Sequence, residues 1–146
     1  MGFGGIFENH ILWISISSWF IAQLLKIMIN LATSRKFDFK LIVSSGGMPS
    51  SHSSFVTAMS VSVGERLGYD STLFAVCVVL SLVVMYDAAG VRRAAGQQAA
   101  LLNKIMDEFM ANTLNLEKRL KELLGHTPVE VAAGAVLGIV IALIFK

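Results

Sequence analysis

Gly46-Gly47-Met48-Pro49-Ser50-Ser51-His52 runs directly into Ser53-Ser54-Phe55-Val56-Thr57-Ala58-Met59-Ser60-Val61-Ser62-Val63-Gly64 and reaches Leu67 before Gly68. The glycines, proline and serines mark a helix start, and Gly68 suits its end. A helix this rich in Ser, Thr and Ala is a poor lipid-facing element, but its small side chains suit close packing inside a bundle. Its N-terminus offers unpaired backbone N–H groups and a positive dipole end, which favour a bound anion. Ser50 and Ser51 can cap the helix or donate to that anion, and His52 can transfer a proton.

The 146-residue chain as a whole is 55% hydrophobic with mean hydropathy +0.68, which points to the membrane. Three further runs, about Ile11–Ala32, Ser71–Ala89 and Val129–Phe145, approach the roughly 20 residues that cross a bilayer core. The first differs from a secretory signal, since Met1–His10 carries no Lys or Arg and the apolar run is long. The expected fold is therefore all-α. It is a polytopic membrane bundle of about four spanning helices (about 11–32, 50–67, 71–89 and 129–145) in one domain, 1–146. Between the third and fourth lies 97–124, with apolar Leu102, Ile105, Met106, Phe109 and Leu116 opposite a charged face, which reads as an amphipathic helix. It would lie at the membrane surface or pack on a partner helix, with a homodimer through 97–124 as one such arrangement. Cys77 lies mid-run and reads as a packing residue.

This topology puts Arg35, Lys36, Lys40, Arg92, Arg93, Lys104, Lys118, Arg119 and Lys121 on one side, against Arg66 and Lys146 on the other. The positive-inside rule makes the cation-rich side cytoplasmic. The same side holds two histidines that open helices, His52 and His126. Glu130 follows His126 by one helical turn, so its carboxylate can hold one ring nitrogen and leave the other free to attack. Lys26, Arg92 and Arg93 supply fixed positive charge for phosphate oxygens. Plainer readings stand beside these: Lys26 snorkelling to the boundary, a solvated His–Glu surface pair, and an arginine pair that only sets topology. Asp87 reads as the partner of an arginine. No Cys–His cluster or carboxylate set points to a metal, no cofactor is implied, and nothing points to nucleic acid.

Pro49-Ser50-Ser51-His52 resembles the Pro-Ser-Gly-His motif of type 2 phosphatidic acid phosphatases (PAP2), a superfamily shared with vanadium haloperoxidases. His126-Thr127-Pro128-Val129-Glu130-Val131, followed by Ala133-Gly134, resembles that family's last motif, and Arg92 with Gly96 resembles its Ser-Arg-x-x-x-Gly half. Lys26 matches the first-motif lysine. The wording around these motifs is most similar to the divergent PAP2 family, also called DUF212. Four departures stand out: Ser51 for glycine, Glu130 for aspartate, Thr33 where the first motif has arginine, and a third motif split by 97–124.

The resemblance implies a membrane phosphatase acting on a lipid phosphate or diphosphate, of polyprenyl or diacylglycerol type. His126 would be the nucleophile that becomes phosphohistidine, Glu130 its orienting carboxylate, and His52 the acid and then the base. Lys26, Ser50, Ser51 and Arg92 or Arg93 would bind phosphate. The setting implied is a bacterial plasma membrane or a plastid membrane, with the site on the cytoplasmic face. The departures motivate a second expectation, a catalytically inactive binding or scaffold protein that retains the phosphate pocket. A haloperoxidase does not fit so small and membrane-embedded a chain.

Overall fold

The computed structural model describes residues 3–34, 47–110 and 125–146, which form helices and turns and no strand. After a short 3-10 turn at Phe3–Ile6 come α1 (His10–Ser34), α2 (Ser51–Leu67), α3 (Thr72–Ala89), α4 (Val91–Met110) and α5 (Pro128–Ile144). Hydroxyl side chains start three of them. Ser50 accepts from the Ser53 N–H, Ser71 from Phe74 and Thr127 from Glu130, which satisfies donors left over at each helix start. Gly68 ends α2 with φ of 91°, a left-handed conformation that favours glycine.

Helix α2 is the centre of the bundle and packs against α1, α3 and α5. Its buried serines and threonine bind across each interface. Ser54 meets Ser18 at 2.6 Å, Ser60 meets Ser81 at 2.8 Å, and Thr57 donates to the Ala135 carbonyl at 3.2 Å. The Ser50 N–H donates to the Glu130 carbonyl at 3.0 Å, and at the far end Lys146 pairs with Glu65 at 3.2 Å. Helices α2 and α5 therefore run in the same direction, and both start where α1 and α3 end.

The α2–α5 contact depends on two glycines. A Cβ on Gly134 would strike the Ser50 carbonyl oxygen, and one on Gly138 would strike the Thr57 hydroxyl and the Ser54 carbonyl oxygen. Backbones this close bring many small contacts together where apolar burial offers little drive. Gly138→Leu is expected to destabilise the protein by about 3 kcal/mol, because neither neighbour is the movable end of a flexible side chain. Thermal unfolding in detergent checks this; a wild-type midpoint would contradict the packing described.

The distribution of side chains suits lipid rather than water. Val76, Val79, Leu82, Val83, Val136 and Leu143 are exposed, while Ser15, Ser18, Ser53, Ser54 and Ser60 are buried. Water-soluble cores show the reverse. Among the described residues two helical stretches are long and apolar enough to cross a membrane, His10–Thr33 and Thr72–Asp107; Pro128–Ile144 is apolar but shorter. Cys77 is buried in α3.

The segment expected to be amphipathic from residue 97 is already helical from Val91, and only Gly90 separates α4 from α3. Arg92 therefore sits in the first turn of a helix rather than in a connecting loop. Leu101, Leu102 and Ile105 on α4 are exposed. The remainder of that segment, 111–124, lies outside the described residues, as do Arg35, Lys36 and Lys40.

Candidate active site

The start of α5 is built around Glu130. Its Oε2 accepts from the Thr127 N–H at 3.2 Å, while the Thr127 hydroxyl accepts from the Glu130 N–H at 3.3 Å, a reciprocal capping box. The same Oε2 lies 2.9 Å from His126 Nδ1. A carboxylate oxygen accepts, so Nδ1 carries the proton and Nε2 holds the lone pair in the neutral ring. His126 is 1% exposed, and its Nε2 is buried with no hydrogen-bond partner among the described residues. Burial holds this imidazole below its ordinary value of 6.5. The Glu130 hydrogen bond opposes that effect, and the charges of Lys26 and Arg92 add to it.

The His126 backbone is fastened as well. Its N–H donates to the Ala88 carbonyl at 3.1 Å, and a Cβ on Gly125 would strike the backbone of Arg92 and Arg93. The chain before α5 thus lies directly on the α3–α4 junction. The two halves of the split motif meet there in space.

His52, from the first turn of α2, presents its ring to His126 edge-on with the centroids 6.4 Å apart. These two rings, Val84, Asp87, Ala88, Arg92 and Gly125 line one cleft. The cleft is small and partly open to solvent. Arg92 donates from Nε to Asp87 Oδ2 at 2.6 Å.

Lys26 approaches from α1. It is 2% exposed, and its Nζ has no hydrogen-bond partner among the described residues. It does not snorkel. Gly47, at φ of 97°, lies on its stem, and a Cβ there would come within 3.3 Å of the lysine Cγ and Cδ. The glycine both permits the turn and leaves room for the lysine. The Lys26 charge acts on Glu130, His52 and His126, so the ammonium belongs to the same electrostatic unit although it does not line the cleft.

The remaining expected residues fall outside the cleft lining. Ser50 is buried, caps α2 and accepts a second bond from the Ser53 hydroxyl at 3.1 Å. Ser51 is buried in the first turn, and Arg93 is exposed. Of the two arginines, Arg92 alone lines the cleft. Thr33 is exposed and bonds the Ile29 carbonyl at 2.8 Å, so it supplies nothing to the site. No group of His, Cys, Asp or Glu among the described residues could hold a metal.

A histidine held by a carboxylate at the start of one helix, a second histidine facing it, and a buried lysine and an arginine around them characterise this bundle. The chain belongs to the divergent PAP2 family, which matches it over residues 7–141. It is also 42% identical, over 150 aligned residues covering 95% of each chain, to the uncharacterized membrane protein YuiD of Bacillus subtilis (strain 168). No solved structure matches it.

Proposed function

We propose that this membrane protein hydrolyses a lipid phosphate or diphosphate through a phosphohistidine at His126. One observation carries the reading: the Lys26 ammonium and His126 Nε2 are both buried without a hydrogen-bond partner among the described residues. A bare buried cation and a bare buried lone pair are costly unless a ligand completes them. A phosphoryl group supplies anionic oxygens for the first and an electrophilic phosphorus for the second.

In this reading Nε2 attacks phosphorus in line with the leaving oxygen, and the P–O bond breaks as the P–N bond forms. His52, protonated, gives its proton to the leaving alcohol or phosphate. Glu130 steadies the positive charge that develops on the His126 ring. Lys26 and Arg92 stabilise the phosphoryl oxygens, and the start of α2 adds its dipole. Water, deprotonated by the now neutral His52, then displaces His126 and releases phosphate. The lipid chains would stay outside the cleft, in the bilayer. By the positive-inside rule the cation-rich side read from the sequence, which includes Arg92 and Arg93, would be cytoplasmic, and the Bacillus subtilis relative favours a bacterial plasma membrane.

The direct test is phosphate release by the purified protein from polyprenyl or diacylglycerol phosphates in mixed micelles. Turnover supports the reading. Phosphate binding without turnover supports the second one, a binding protein that keeps the pocket. That alternative is favoured by Thr33, whose hydroxyl is used within its own helix where the family motif has a cation.

The acid limb of kcat/KM is expected below 6.5, because the nucleophile must be neutral and His126 is held below that value. Glu130→Gln keeps the capping box but removes the carboxylate that opposes the lowering. Its acid limb should move to still lower pH, with a reduced rate. An acid limb that moves to higher pH would contradict the assignment.

A further inference from the structure

Asp87 takes no part in the chemistry above, yet it lines the cleft. It stands in the last turn of α3, Arg92 stands in the first turn of α4, and Gly90 lies between the two helices. The Asp87 Oδ2 to Arg92 Nε distance of 2.6 Å spans that junction. Both side chains are substantially exposed, at 52% for Arg92 and 40% for Asp87, so the pair is worth little to fold stability. By charge alone, a carboxylate beside an anion site weakens the site. Its presence there calls for a compensating geometric role.

That role follows from the guanidinium. Arginine presents its N–H groups in a rigid planar fork, so fixing one edge fixes the others. Asp87 takes the Nε–H and leaves the terminal amino groups for a ligand. Resting on the phosphate reading of the cleft, we propose that Asp87 is the positioning residue for Arg92. It grips the guanidinium by Nε so that the terminal N–H groups meet the oxygens of a phosphoryl group held between His52 and His126.

The test measures binding of inorganic phosphate to the full-length protein in detergent by titration calorimetry, which needs no turnover. Asp87→Ala is expected to weaken binding about tenfold, the worth of one well-placed charge-assisted bond, with an unchanged melting temperature. Asp87→Asn, which keeps an acceptor oxygen, should lose less. In an Arg92→Ala background, Asp87→Ala should cost nothing more, since its effect passes through Arg92. Binding by Asp87→Ala as tight as wild type, or tighter, would overturn the proposal and leave the phosphate site intact. So would a full additional loss in the Arg92→Ala background. If Asp87→Ala melts early, the Asp87→Asn comparison in both backgrounds decides by the same criterion. Absence of phosphate binding by the wild type would overturn the phosphate reading itself, and the proposal with it.

Discussion

His126→Asn protein is expected to fold like the wild type and to release phosphate at least about a thousandfold more slowly. The substitution keeps a polar amide near Glu130, so the start of α5 retains a partner for its carboxylate. It removes the Nε2 lone pair, a buried group with no hydrogen-bond partner among the described residues. In the proposed mechanism the other groups act on charge or on protons, so none of them would replace a nucleophile that bonds to phosphorus. Rates from purified wild type and variant in the same micelles give the comparison. Equal rates would remove His126 from the chemistry and leave the cleft at most a binding site.

Lys26→Met is expected to produce two changes of opposite sign. An ammonium that is 2% exposed and makes no hydrogen bond among the described residues burdens the folded state. Methionine has a similar length, fits beside Gly47 as the lysine stem does and carries no charge. The variant should gain about 1–3 kcal/mol of stability, the desolvation cost of one unsatisfied buried polar group. It should also lose phosphate binding by about tenfold or more, because a buried cation whose charge acts on both histidines is gone. Sites that hold a ligand often store cost in this way. Calorimetric phosphate titration and thermal unfolding on one preparation read both effects. A variant that is less stable than wild type would make Lys26 a structural residue, and one that still binds phosphate normally would place the anion elsewhere.

Much of the fold was legible because its signals are local. Apolar length marks α1 and α3, and Ser50, Gly68 and Pro128 lie at helix ends for reasons that involve only their own turns. The central place of α2 was readable from its composition, since hydroxyl side chains have little use against lipid. The junction of α3 and α4 was not legible in the same way. Arg92-Arg93 reads as the end of a span, but Gly90 interrupts the helix only briefly and α4 begins at Val91.

The site divides along the same line. His126 and Glu130 are one turn apart, so their meeting at 2.9 Å needs no tertiary information. Thr127-Pro128-Val129-Glu130 also spells a capping box, a signal present in the sequence that explains how glutamate serves where the relatives' motif has aspartate. The longer arm of glutamate reaches both the Thr127 N–H and His126. Which arginine enters the cleft was not decidable from spacing, because Gly125 docks against the backbone of both and only the helix phase directs Arg92 inward. Asp87 was readable as an arginine partner, but its place on the cleft wall depends on α3 and α5 meeting over the start of α2. Burial of Lys26 likewise depends on a tertiary event, the approach of the Gly47 turn to α1.

The proposed phosphoryl transfer to His126 would leave a phosphohistidine on the protein. Rapid quenching into alkali, which preserves phosphohistidine, during turnover of a lipid phosphate labelled in its phosphoryl group tests it most directly. Transient label is expected on the peptide containing His126, absent in His126→Asn and longer-lived in a variant that lacks the His52 base. Steady turnover with no label on the protein, or label on any other residue, would contradict it.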